Sequence, residues 1–216
     1  ASPFRVTDAS GSTVPAQITV LNKQWQSGYV RHLLITLETA LNANEKRIFH
    51  LKDDGGNMAP ATQVSVSETG TDITVNTGVL RFKVKKQNFN LFDEVFIDAN
   101  VNGSFEPGEQ VITTSANNGG IFISRQDSVF KSSDVAAPTI TVEEAGPLRA
   151  IIRVETPTIF LDITRQRPGH MVRLYAYAGK PYVKVEYTLK NSTFNSKYAW
   201  PLYCKDFSVR MRLNLG

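Results

Sequence analysis

The sharpest chemical signal in the chain is the run Asp98-Ala99-Asn100-Val101-Asn102-Gly103-Ser104-Phe105-Glu106-Pro107-Gly108-Glu109. It fits the pattern Asp-x-Asp/Asn-x-Asp/Asn-Gly-x5-Glu at every required position. Calcium takes six to eight hard oxygens. This spacing offers the side chains of Asp98, Asn100 and Asn102, the carbonyl of Ser104, Glu106 through water, and Glu109 as a bidentate carboxylate. Gly103 permits the sharp turn that brings them together. The sequence flanking the loop reads as strands instead of the usual helices. The competing reading is therefore a polar hairpin turn whose Asn and Gly residues accept left-handed backbone angles without a metal. With three carboxylates and two neutral amides, a calcium site here would have the modest affinity of extracellular modules.

A second constellation is Arg165-Gln166-Arg167-Pro168-Gly169-His170, which reads as a basic loop leading into a long strand. Guanidinium forks match carboxylates, so Arg165, Arg167 and His170 are candidate contacts for an acidic sugar. The alternative is a solvated loop whose charges keep the surface soluble. Tyr175 and Tyr177 fall on one face of the following strand, with Tyr182 just beyond the Gly179 turn. Exposed, they would stack on sugar rings; buried, they would pack between sheets, the commoner fate of strand aromatics.

Other reactive side chains lack partners in the sequence. His32 and His50 lie in strands away from an evident Asp, Ser or Cys, and Cys204, after Trp200-Pro201-Leu202-Tyr203, reads as a small buried hydrophobe. The zincin, nucleophile-elbow, phosphate-loop and paired-cysteine motifs are all missing. A β-eliminating lyase needs a base and a group that neutralises a uronate carboxylate, and nothing in the sequence assembles them. Asn191-Ser192-Thr193 is a glycosylation acceptor pattern, meaningful in a eukaryotic secretory setting.

These residues must be held by a mostly β framework. The chain has 216 residues, 41% of them hydrophobic and 20% charged, enough to bury a core without disulfides. No apolar run approaches the roughly 18 residues that a membrane span requires. Lys plus Arg total 24 against 20 Asp plus Glu, too mild and too scattered for a nucleic-acid surface. The single cysteine excludes an internal disulfide. No charged-then-apolar leader opens the chain at Ala1, so a signal peptide is expected to be absent or already removed.

Period-two alternation predicts strands at Gln17 to Leu21, Tyr29 to Leu37, Lys46 to Leu51, Gln63 to Ser67, Ile73 to Asn76, Val79 to Lys85, Glu94 to Ile97 and Gln110 to Thr114. It predicts further strands at Ile121 to Ser124, Thr139 to Val142, Arg149 to Glu155, Val172 to Ala178, Tyr182 to Leu189 and Phe207 to Leu215. One helical stretch is expected around Asp127 to Val135. Shorter strands before Thr77-Gly78 and longer hairpins after it predict a small β-barrel-like domain at 1–77 and an antiparallel β-sandwich at 78–216, with a supersandwich as the larger variant of the latter. The alternation Phe207, Val209, Met211, Leu213, Leu215 runs to Gly216 without a turn or cap. We therefore expect a sandwich truncated at its C-terminal end, whose last strand offers an apolar edge for self-association.

Residues 4 to 51, from FRVTDASGSTVPAQITVL through Trp25-Gln26-Ser27-Gly28-Tyr29-Val30-Arg31-His32 to NEKRIFHL, resemble the N-terminal barrel of the exo-rhamnogalacturonan lyase (YetA-like) family. The shared pattern is a Trp, a short Gly turn and a strand that begins with a basic residue; His32 stands where an aromatic is usual and Ser27 where an acid is usual. GVLRFKVKKQNFNLFDEVFID and GHMVRLYAYAGKPYVKVEYTLKNS resemble that family's central β-sandwich. The resemblance implies that chemistry depends on a helical toroid domain with no counterpart in these residues.

The expected function is a non-catalytic β scaffold from a secreted, extracellular or periplasmic polysaccharide-degrading enzyme, with a calcium loop and an acidic polysaccharide as partner. Two rivals remain: a lyase active in its own right, with its site in the groove between the two parts, and a structural or adhesive module of a cell surface or phage tail.

Overall fold

The computed structural model describes residues 3–113, 119–125, 128–160, 166–190 and 204–214. Among the described residues, nineteen strands are joined by turns and two single-turn 3-10 segments. In the first part are β1 (Arg5–Asp8), β2 (Thr13–Val14), β3 (Ala16–Lys23), β4 (Val30–Leu37) and β5 (Phe49–Lys52). There follow β6 (Ser65–Glu68), β7 (Asp72–Asn76), β8 (Leu80–Lys85), β9 (Glu94–Ile97), β10 (Gln110–Ile112), β11 (Gly120–Arg125) and β12 (Ser128–Lys131). The remainder are β13 (Thr139–Ala145), β14 (Arg149–Thr156), β15 (Ile159–Phe160), β16 (Gln166–Arg167), β17 (Gly169–Tyr177), β18 (Val183–Lys190) and β19 (Asp206–Arg210).

The core is a two-layer antiparallel sandwich. One layer is the five-stranded sheet β10-β9-β8-β7-β6, and the other is the four-stranded sheet β13-β14-β17-β18. Alternation explains the packing. In β8, Leu80, Phe82 and Val84 turn inward while Arg81, Lys83 and Lys85 turn out, and β17 buries Val172, Leu174 and Ala176 in the same way. These side chains meet Ile73, Val75, Val95, Ala150, Ile152 and Val154 in one continuous cluster. The β8–β9 connection plugs its end with Phe89 and Leu91, Leu91 holding a left-handed φ of 73° to do so. The layers are also joined through the main chain, where Gly179 N–H donates to the Thr77 carbonyl at 2.7 Å and Thr77 Oγ1 to the Lys180 carbonyl at 3.0 Å.

The third sheet, β12-β11-β19, adds Ile121 to the same cluster. Gly120 sits where a Cβ would lie 2.6 Å from Ser132 Oγ, a hydroxyl that accepts from Ile121 N–H and donates to the Phe89 carbonyl. The helix expected around 127–135 is instead β12 followed by one 3-10 turn at Ser132–Asp134, Asp127 lying outside the described residues. Cross-strand pairing of Phe130 with Ile123 outweighs the local helical spacing. The last predicted strand is shorter than expected: β19 ends at Arg210, and Leu213 makes an isolated bridge to Ile112.

Near the N-terminus the described strands form a three-stranded sheet, β2-β1-β5, and a two-stranded ribbon, β3-β4, with no closed barrel among the described residues. Thr77-Gly78, expected as a domain boundary, is the turn of the β7–β8 hairpin, so one sheet runs through it. No described helix is long and apolar enough to cross a membrane.

Candidate calcium loop and outer sheet face

The loop from Asp98 to Glu109 connects β9 to β10 at the edge of the five-stranded sheet. Its fastening is aromatic: Phe105 meets Phe96 edge-on at 6.5 Å, and the Arg81 guanidinium lies 4.4 Å from the Phe96 ring and 4.8 Å from that of Phe105. Asp98 is buried, and its two oxygens accept from Asn102 N–H at 3.1 Å and Gly103 N–H at 2.8 Å. Asn100 Oδ1 accepts from Asn102 N–H at 3.0 Å, and Asn102 Oδ1 from Ser104 N–H at 2.8 Å. Glu109, at the end of the 3-10 turn Pro107–Glu109, reaches back to accept from Ala99 N–H at 3.0 Å and Glu106 N–H at 3.2 Å.

The loop is thus wound around its own side-chain oxygens; Glu109 Oε1 accepts from both Ala99 N–H and Asn100 N–H, while the two Asp98 oxygens each accept one loop N–H and keep a further lone pair. Asn102 Nδ2 donates to Glu106 at 2.7 Å and holds that carboxyl below the usual carboxylate range. Gly103 has a φ of 81°, as the turn requires, and the β-branched Val101 is held at 59°. Among the described residues no cluster of three or more His, Cys, Asp or Glu side chains is already gathered as a metal site. Any cation here would draw on amide and main-chain oxygens as well.

Of the second constellation, the described residues place the main chain of Arg167 and the whole of His170. Arg165 lies outside the described residues, and Arg167 is in β16, paired with Ile159. His170 is not on a surface loop at all: it is the second residue of β17 and is 4% exposed. Thr156 Oγ1 accepts from His170 N–H at 3.1 Å and lies 3.0 Å from Nδ1. Nε2 is buried without a partner, the ring stacks on Tyr187 at 5.9 Å, and burial pushes the imidazole pKa down to about 4.

Tyr175 and Tyr177, by contrast, lie on the face of β17 that turns away from the sandwich core. They are half-buried among charged side chains. Tyr175 donates its hydroxyl to Glu186 at 2.7 Å and lies beneath Lys184 at 5.0 Å; burial, reinforced by Glu186, pushes the phenol up to about 12. Tyr177 lies 6.0 Å from Tyr182. Ion pairs cover the rest of this face: Arg173 with Glu143 at 2.7 Å, Arg149 with Glu144 at 2.7 Å, and Glu155 with both Arg153 and Lys190.

Sequence reasoning missed two features. One is Gln17, whose side chain ties the N-terminal ribbon to the β13–β14 turn. The other is the exposed tip of the β3–β4 ribbon. Cys204, expected to be buried, is exposed. The glycosylation acceptor pattern at Asn191 lies outside the described residues.

The fold and its loop define an antiparallel β-sandwich domain carrying an acid- and amide-rich hairpin loop. Residues 64–198 match the PcRGLX-like protein central beta sandwich domain, and the chain belongs to that family, whose members are rhamnogalacturonan lyase-like. The match holds both sandwich stretches that carried the sequence resemblance, and residues 4–51 fall outside it. No curated protein matches the chain.

Proposed function

We propose that the chain is a non-catalytic β scaffold of a secreted polysaccharide-degrading enzyme, braced by calcium at Asp98–Glu109. The observation that carries this reading is the match of residues 64–198 to a central sandwich domain of rhamnogalacturonan lyase-like proteins. A central domain supports its neighbours, and the geometry suits that work: the layers are joined through the main chain, and the outer face is locked by ion pairs. In this reading Asp98, Asn100, Asn102, Glu106, Glu109 and the Ser104 carbonyl supply the oxygens, and the metal fixes the β9–β10 edge. Tyr175 and Tyr177 face an acidic polysaccharide. His170, being buried, takes no part in glycan contact.

The test is incubation of the purified chain with rhamnogalacturonan and polygalacturonate, with and without calcium, following absorbance of the unsaturated product. A scaffold gives no rise above buffer in either condition. A robust calcium-dependent rate would overturn the reading in favour of a lyase active in its own right.

A further inference from the structure

An amine, an amide and a carboxylate meet in the β8–β9 connection. Asp93 Oδ1 lies 3.0 Å from Lys85 Nζ and accepts from Asn90 Nδ2 at 3.1 Å. Asp93 is 3% exposed and Asn90 5%, while Lys85, the last residue of β8, reaches in from the partly exposed rim. Asn90 Oδ1 is buried without a partner. A buried amide oxygen left unpaired is costly, and native cores rarely keep one.

The amide is held firmly. Phe89 and Leu91, on either side of it in sequence, are sunk in the core. The Asn90 carbonyl accepts from Phe92 N–H at 3.1 Å, and Asp93 N–H donates to the Lys83 carbonyl at 2.9 Å. Gly119 and Gly120 pack closely on the Asn90 main chain: a Cβ at Gly119 would lie 3.3 Å from the Asn90 carbonyl oxygen, and one at Gly120 would lie 3.4 Å from its Cα. Beside Asn90 is a void of about 10 Å³, the size of one small molecule such as water or ammonia.

These groups are a nucleophile, an electrophile and a proton carrier. One carboxylate oxygen touches both the amine that attacks and the amide nitrogen that leaves, each within the reach that proton transfer needs. A lysine amine is a competent nucleophile toward a carbonyl carbon once it is deprotonated. Holding amine and amide on one short connection makes the attack intramolecular, which removes much of its entropic barrier.

We infer that Lys85 and Asn90 join in an isopeptide bond that the chain forms by itself, with Asp93 as the catalytic residue. Asp93 takes one proton from the Lys85 ammonium, and the free amine attacks Asn90 Cγ to form the Nζ–Cγ bond. The carboxyl hands its proton to Nδ2, the Cγ–Nδ2 bond breaks, and ammonia leaves. Asp93 then takes the second proton from Nζ and passes it to the ammonia. The products are a secondary amide and an ammonium ion, with the Asp93 carboxylate restored and no oxidant or cofactor consumed. The new bond clasps the segment that holds Asn88 at a left-handed φ of 51° and fixes the end of β8 to the approach to β9. It goes beyond the scaffold reading, because it requires neither calcium nor glycan.

The experiment is intact-mass spectrometry of the purified whole chain, with proteolysis and fragmentation to locate the link. The expected result is a mass lower than that of the sequence by one ammonia, together with a branched peptide joining Lys85 to Asn90. Lys85→Arg keeps the ion pair with Asp93 but lacks the amine, and it should show the full mass while remaining folded by circular dichroism. Asp93→Asn should also show the full mass. The full sequence mass in the unaltered chain, an ammonia loss that persists in Lys85→Arg, or undiminished bond formation in Asp93→Asn would each overturn the inference.

Discussion

Gln17 and Arg149 are joined across the junction of the N-terminal ribbon and the sandwich: Gln17 Oε1 accepts from the Arg149 N–H at 2.8 Å and from the adjacent Leu148 N–H at 3.0 Å. The same amide donates through Nε2 to Glu144 at 3.1 Å, and Glu144 is in turn the bidentate partner of the Arg149 guanidinium. One side chain thus completes a β-turn that the sandwich leaves with two donors unpaired. Gln17→Leu strands both N–H groups in a buried site, at a cost of about 1 to 3 kcal/mol each. Urea denaturation should show a stability loss of about 2 to 6 kcal/mol. A loss below about 0.5 kcal/mol, the range of ordinary surface changes, would mean that water serves the turn equally well.

Calcium should stabilise the fold. Binding to the native state alone adds RT ln(1 + [L]/Kd), about 2.7 kcal/mol at a hundredfold excess over Kd. Melting in chelator and in millimolar calcium should therefore give separate curves, and Asp98→Ala should remove the difference. Coincident curves for the unaltered chain would leave the loop as a metal-free turn.

His170 predicts a pH dependence. Its folded pKa, about 4, lies below the unfolded value near 6.5, so the unfolded chain binds the extra proton between these pH values. Stability is then full above the unfolded pKa and falls as pH drops from about 6.5 to about 4, by roughly 3 kcal/mol from this group. His170→Gln should flatten that part of the stability profile. An identical slope in the variant would assign the acid sensitivity to the carboxylates.

The edge formed by β19 should self-associate. Phe207, Val209, Met211 and Leu213 are each about half exposed, and β19 lies at the edge of its sheet. An apolar edge strand with free main-chain groups pairs readily with another chain. Light scattering over a concentration series should show mass rising with concentration, and Met211→Lys should suppress the rise. A constant monomer mass would remove this surface from consideration.

Most of the strands were legible because one face is buried. Arg81, Lys83 and Lys85 between Leu80, Phe82 and Val84 leave one orientation for β8. The loop spacing at Asp98 was equally plain, since its turn geometry depends on local residues alone. What was lost depends on distant ones. Alternation places Tyr175 and Tyr177 on one face of β17 without saying which face is inside. The clue was Arg173 on the same face, opposite Val172 and Leu174. His170 follows two arginines closely enough to read as part of a basic loop, and its burial is set by Thr156 and Tyr187, which adjoining strands bring to it. Gln17 carries no local sign of its role, because its partners are the far-off backbone amides of Leu148 and Arg149.

The placement of β19 also constrains the order of assembly. Its partner in the ladder is β11, and just beyond it Leu213 bridges to Ile112 while Asn214 N–H donates to the Val111 carbonyl at 2.9 Å. The strands that receive it are made early, and the segment that covers them is made after the whole β13–β18 sheet. Until then β10 and β11 present unpaired edges beside Ile112, Ile121 and Ile123. Pairings between such distant segments form slowly, because loop closure must precede any reward in contacts. During synthesis these edges are where a chaperone or a neighbouring nascent chain would first take hold.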